Sequence, residues 1–294
     1  MSGAPLVAGV EIGGTKCIAI LGRGPDKLVE QVRIDTRDPE RTLGEIKLVL
    51  DRWQASHGFS ALGIASFGPL CLDRQSGGYG TIVSTPKPGW SGTDVLRRWQ
   101  GLGVPVALQV DVVGAALAEG RWGAAQGLDD FAYITVGTGI GVGPIVAGRP
   151  IAGLGHCELG HARVPRLAGD DWPGSCPYHG DCVEGLASGP AIEARAGTPR
   201  PGNDWEGWAS VAHALAMLVH NLFLGLQPRR VLIGGGVVEG RPRLLPAVRE
   251  RLAVSLGGYH TAASIAADYV APPGLGDQAG PLGALALALR QLKH

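Results

Sequence analysis

Leu6-Val7-Ala8-Gly9-Val10-Glu11-Ile12-Gly13-Gly14-Thr15-Lys16-Cys17-Ile18-Ala19-Ile20-Leu21 reads as a strand, a turn at Gly13-Gly14-Thr15 and a second strand, closing on Gly22-Arg23-Gly24. The order returns about half a chain later: Phe131 to Pro150 is a strand, Gly137-Thr138-Gly139, a second strand and Gly148-Arg149-Pro150. Self-similarity of this kind bears on the whole architecture before any local pattern does. The two hairpins predict two related α/β halves facing each other across a cleft.

Working outward, Ala61 to Ala65 reads as a short buried strand ending in Ser66-Phe67-Gly68-Pro69, and Val104 to Val110 as another ending at Asp111. A helix follows from Asp111 through Gly120. From Trp205 the apolar residues at 208, 211, 215, 218, 219, 222 and 226 keep helical spacing, and Asn203 with Glu206 supplies a capping-box start. Val231-Leu232-Ile233 is a buried strand running into Gly234-Gly235-Gly236, and Gly280 to Leu292 a terminal helix rich in Ala and Leu. Strands alternating with helices favour an α/β layer architecture.

Glycine in such turns lets the backbone approach a phosphate with no side chain between them, while Thr15 adds a hydroxyl and Lys16 a charge. A lone Gly-Gly turn more often only joins strands. Three glycine turns, Gly13-Gly14-Thr15, Gly137-Thr138-Gly139 and Gly234-Gly235-Gly236, each after a buried strand, are what a nucleotide gripped between two domains requires. No Gly-Lys-Ser/Thr follows at Walker spacing. Asp111, where a strand ends and a helix begins, reads equally as an N-cap and as a carboxylate able to draw the proton from an attacking hydroxyl near a γ-phosphate.

The window from His156 to Glu184 holds three of the five cysteines and three of the eight histidines. Cys176 and Cys182 with His179 between them, plus one upstream histidine, supply the two thiolates and two imidazoles of a closed zinc site. Of His156 and His161 only one is needed. Glu158 and Glu184 flank the set, so a zinc-held loop would fix two carboxylates for a polyhydroxylated ligand.

Lys plus Arg and Asp plus Glu balance at 26 each, which gives no footprint for nucleic acid or for an acidic membrane. The uncharged stretch Phe131 to Gly148 has about the length of a membrane span, but its glycines and Pro144 fit a strand pair better. No secretory pattern opens the chain, and cysteines grouped with histidines suit metal ligation in a reducing compartment. The expected location is cytoplasmic.

Together these residues resemble the ROK family of sugar kinases, and within it the bacterial fructokinases. Glu11-Ile12-Gly13-Gly14-Thr15-Lys16 is similar to the first phosphate motif, with the branch's Glu for the more general Asp. Ile134-Thr135-Val136-Gly137-Thr138-Gly139-Ile140-Gly141 resembles the second, and Ile233-Gly234-Gly235-Gly236-Val237 the adenosine-side motif. Ser66-Phe67-Gly68-Pro69 and Tyr79 through Trp90 are similar to the branch as well. The resemblance implies an actin-like, ribonuclease H-like two-domain α/β fold with a cleft, and Mg-ATP as donor. It further implies Asp111 as catalytic base, a homodimer, and zinc on His161, Cys176, His179 and Cys182, with Glu158, His161 and Glu184 facing the sugar. The expected division is a smaller domain, 1–111 plus a C-terminal helix at about 282–294, and a larger domain, 112–281, with the zinc loop.

The chain departs from the family at Val110 and Val113, where Asn is common, at Gly114, where Ala is preferred, and at Pro144, which requires an edge or a bend. Fructose leads the expected substrates. The alternatives are mannose, glucose or an N-acetylated hexosamine, or a kinase-like sugar-binding protein without turnover. A sugar-responsive regulator would carry a helix-turn-helix segment, for which a first strand near Leu6 leaves no room.

Overall fold

The computed structural model describes residues 4–259 and 268–292. The chain divides into two compact units: one takes the residues through Gly127, Pro150–His156 and those from Leu275 onward, the other Leu128–Arg149 and Cys157–Gly274. This differs from the expected division. The helix after Asp111 belongs with the first unit because its small-residue face packs on the C-terminal helix, and residues 293 and 294 of that expected helix lie outside the described residues.

In the first unit, β1 (Val7–Ile12), β2 (Lys16–Gly22), β3 (Leu28–Asp35), β4 (Leu62–Ser66) and β5 (Val106–Val110) form a sheet in the order β3-β2-β1-β4-β5. β1 is antiparallel to β2 and parallel to β4. Helix α1 (Pro39–Ser56) starts from Asp38, whose side chain accepts the Arg41 N–H at 3.0 Å, with Pro39 in the first turn. It buries Leu43, Ile46, Leu50 and Trp53, one stripe at helical spacing. Helix α2 (Asp111–Trp122) lies against the C-terminal helix. At their crossing a Cβ on Gly283 would stand 2.3 Å from the Gly114 carbonyl carbon, so the family's Ala at 114 is replaced where two helix backbones nearly touch.

Glu119, on α2, is fully buried. Its Oε2 accepts the Ala124 N–H at 2.7 Å and its Oε1 the Leu275 N–H at 2.9 Å, tying the end of α2 to the segment that leads into the last helix. Glu119→Ala leaves two half-buried donors without these acceptors and is expected to cost about 2–5 kcal/mol. Urea unfolding measures it, with Glu119→Gln, which keeps one acceptor oxygen, falling between the two proteins.

The second unit repeats the plan. β6 (Phe131–Val136), β7 (Ile140–Val146), β8 (Arg149–Pro150), β9 (Val231–Gly234) and β10 (Val270–Ala271) run in the order β10-β9-β6-β7-β8. β6 is antiparallel to β7 and parallel to β9, so the hairpin echo in the sequence is an echo of topology. Helices α3 (Val183–Ala187), α4 (Gly189–Ala196), α5 (Trp208–Leu226) and α6 (Leu244–Leu256) complete it, and α7 (Ala279–Gln291) is the C-terminal helix of the first unit. By length and composition α5 could cross a membrane, but its apolar residues from Val211 to Phe223 are buried in this unit's core with β6, β9 and α6.

The expected capping box does not form. The chain turns between Gly202 and Trp208, the helix begins at Trp208 after Gly207, and no side chain caps it. The Trp208 indole N–H instead donates to the Gly202 carbonyl at 2.8 Å, and Trp205 packs edge-on against Trp208. Pro144 lies inside β7, opposite Ala132. The Ile140 N–H points away from β6, and by strand alternation residue 144 faces the same outer side, so proline removes no donor from that ladder.

Candidate active site and metal centre

In the first unit the turn between β1 and β2 is closed by the Gly13 N–H donating to the Lys16 carbonyl at 3.1 Å. Thr36 pins it from the side: its hydroxyl donates to the Gly13 carbonyl at 2.7 Å and its N–H to the Thr15 carbonyl at 3.0 Å. Gly14, Thr15 and Lys16 are exposed, and a Cβ added to Gly14 would meet nothing within 4 Å. The space a phosphate needs is open above a rigid turn.

Asp111 opens α2 at the end of β5, half-buried, with Oδ1 accepting the Val112 N–H at 2.7 Å. Val110 and Val113 are buried at 5% and 3% exposure, so both departures from the family put apolar side chains into packed surroundings. Glu11, the only charged residue of β1, stood in the sequence reading only as part of the first glycine motif, with no role of its own. Burial first, then the charge of Asp111, raise its carboxyl to about 7 against the opposing pull of Lys16. Its signal was present: a carboxylate in an otherwise apolar central strand has to have a use.

The second unit gathers the remaining residues around Ile140. The Gly137 N–H donates to the Gly139 carbonyl at 2.9 Å, and the Gly189 N–H to the Gly137 carbonyl at 2.7 Å. The third glycine run follows β9, and the Val237 N–H donates to the Val136 carbonyl at 3.1 Å, so the two turns expected to hold a nucleotide lie side by side. Glu184, in the first turn of α3, accepts the Ile140 N–H on Oε2 at 2.9 Å. On the other side of Ile140 its carbonyl is covered by Gly160, where a Cβ would stand 1.8 Å away. That approach seats the helical turn Leu159–His161, and therefore His161, beside the second glycine turn.

His161, Cys176, His179 and Cys182 offer ligand atoms all within 4.8 Å of one another. His161 Nδ1 lies 3.6 Å from Cys176 Sγ and 3.7 Å from Cys182 Sγ, and His179 Nδ1 3.8 Å from Cys176 Sγ. Zinc at about 2.3 Å from sulfur and about 2.0–2.1 Å from nitrogen spans about 3.6 Å between them in a tetrahedron, so the donor set fits. Burial above all, with the neighbouring Cys176 adding, pushes the Cys182 thiol up to about 11, and two thiolates here need a cation. Zinc held by these four residues would supply that charge and cross-link the loop.

Of the two upstream histidines, His161 stands in the cluster and His156 lies in the other unit. His161 turns Nδ1 toward the two thiols, and its Nε2 lies 3.9 Å from Glu184 Oε1, beyond hydrogen-bond distance. Glu158 is exposed immediately before the turn. The base of the loop is held separately. Arg166 reaches Asp170 at 3.2 Å and Asp181 at 3.4 Å, and Arg195 reaches Asp170 at 3.0 Å.

Compared with known proteins, residues 7–291 match the model of the ROK family. The fructokinase of Zymomonas mobilis subsp. mobilis is 44% identical over 292 residues, 95% of each chain. Among solved structures, the ROK hexokinase of Thermus thermophilus superposes with a TM-score of 0.80 at 30% identity, over 98% of this chain and 99% of that one. A ROK glucokinase from Streptomyces griseus, in complex with glucose and AMPPNP, gives 0.75 at 25% identity over 97% and 99%.

Proposed function

The chain belongs to the ROK family, and from that membership we propose that it is an ATP-dependent hexose kinase converting fructose to fructose 6-phosphate. The observation that carries the kinase reading is the pair of contacts at Ile140, whose N–H holds Glu184 and whose carbonyl seats Gly160. One residue thereby joins a phosphate-type turn to a metal-held carboxylate and imidazole. Fructose as the sugar rests on the 44% identical fructokinase.

In this reading the Asp111 carboxylate takes the proton of the attacking sugar hydroxyl, the new O–P bond forms, and the bond to ADP breaks. The backbone donors of Gly13, Gly14 and Thr15, with the Lys16 ammonium, receive charge on the phosphate chain. Gly137, Thr138 and Gly139 do the same, and Gly234, Gly235 and Gly236 take the adenosine side. Mg²⁺ accompanying ATP, when bound, neutralises charge on the transferring phosphoryl. The sugar is oriented by Glu158, by the His161 Nε2–H and by Glu184, whose Oε1 and the His161 Nε2 are too far apart to satisfy each other directly. The zinc ligands His161, Cys176, His179 and Cys182 hold this side rigid. Free cysteines throughout the described residues support a cytoplasmic location, and the homodimer rests on family resemblance, with light scattering as its measure.

ADP release by the purified protein with Mg-ATP, across fructose, mannose, glucose and N-acetylated hexosamines, tests the reading. Release led by fructose is expected. Release led by another sugar moves the specificity. Zinc-loaded protein that binds sugar without release would favour the non-catalytic alternative and point to Val110 and Val113.

A further inference from the structure

His156 is the histidine that the metal does not use, and its place is specific. Its Nε2 accepts the Leu70 backbone N–H at 3.1 Å, across 86 residues of sequence and within the first unit. A Cβ on Gly68 would come to 3.1 Å from the same nitrogen, so the imidazole rests against a glycine that leaves it room. Leu70 ends the Ser66–Pro69 loop after β4, and Glu158 follows His156 by two residues. The chain passes from one unit to the other directly after His156.

We propose that His156 is a positioning residue for the sugar: by accepting the Leu70 N–H it ties the Ser66–Leu70 loop to the segment that delivers Glu158. This deepens the hexose-kinase reading and rests on it. The bond needs a lone pair on Nε2, which makes that nitrogen the acceptor. A buried backbone donor and a side-chain acceptor so distant in sequence cannot be replaced by a local turn, and a displacement of a carboxylate by a fraction of an ångström is enough to be felt in substrate binding.

Two variants separate positioning from mere packing. His156→Phe keeps a ring without an acceptor; His156→Gln keeps an acceptor oxygen near the place of Nε2. Fructose affinity is read by calorimetry without ATP, so turnover is not required. The Phe variant is expected to bind fructose about tenfold or more weakly, with zinc content and the KM for ATP unchanged, while the Gln variant stays within about threefold of the original. Gly68→Ala crowds the bond itself, its Cβ standing 3.1 Å from both His156 Nε2 and the Leu70 nitrogen; it should reproduce the Phe result, and it carries the test where the Phe variant fails to fold. Fructose affinity unchanged in both His156→Phe and Gly68→Ala would overturn the inference while leaving the kinase reading intact. Equal losses in the Phe and Gln variants, together with loss of zinc, would overturn it in favour of a purely structural role. Failure of the original protein to release ADP, with these affinity differences present, would count against the kinase reading alone.

Discussion

Replacing Asp111 by Asn is expected to cut fructose-dependent ADP release by about 10²–10⁴-fold, the range a positioned general base contributes, with fructose affinity held within a few-fold. Asn is the informative choice. Asp111 Oδ1 accepts the Val112 N–H at 2.7 Å, and an amide oxygen can accept the same bond, so the start of α2 survives while the proton acceptor is lost. Glu11 gives an independent check. Burial first, and then Asp111, lift its carboxyl from 4.5 to about 7. The folded protein therefore keeps a proton that the unfolded chain has released, and this contribution to stability is full below pH 4.5 and declines as pH rises toward 7. Removing the Asp111 charge makes that decline shallower, which paired measurements of Tm against pH would show. Near-normal turnover in the variant would reduce Asp111 to a helix start, and an unchanged slope would mean the two carboxyls do not sense each other.

The architecture was legible because periodicity and glycine punctuation are written along the chain. The two strand–turn–strand runs became two sheets of matching order, and the Cys176-to-Cys182 spacing became a cluster of the right dimensions. Contacts made by backbone atoms were not legible. Nothing in the residue type of Ile140 says that its carbonyl will lie under Gly160 or that its N–H will meet Glu184, since any residue but proline carries those two groups. The start of α5 misled for a related reason: Asn203 and Glu206 have the right side chains, but Trp205 and Trp208 pack on each other and the helix waits until Trp208. His156 and His161 are equivalent by spacing; the family resemblance singled out His161, and tertiary placement puts His161 in the cluster and His156 against Leu70. The first unit runs on past Asp111 to Gly127 because small residues on α2 and α7 allow a close helix crossing, which composition hints at and cannot locate.

Removing the zinc should come next in size of effect. Purified protein is expected to hold about one zinc per chain, and Cys182→Ser to lose most of it, because structural zinc sites in small peptides bind with about 10–16 kcal/mol and each ligand is essential to the closed set. The consequence for the fold depends on how much else holds the loop. The Cys176 and Gly180 backbones pair with each other, Val183 N–H bonds the Ala162 carbonyl, and the Arg166–Asp170–Arg195 network anchors the base. Burial would raise the Asp170 carboxyl, but hydrogen bonds from Arg195, Ser210 and the Trp172 N–H outweigh it and hold it at about 2. That network is therefore fully charged above pH 3.8 and is lost only as pH falls toward 2, so chelation at neutral pH leaves it standing. The core of α5, α6, β6 and β9 does not pass through the metal at all. The expected result is thus a folded protein with ordinary helical circular dichroism whose kcat/KM for fructose drops by about 100-fold or more, since His161 and Glu184 lose the cross-link that orients them. Global unfolding on chelation would make the zinc a folding requirement of the whole unit, and a Cys182→Ser protein with full metal and full activity would remove the metal from the site altogether.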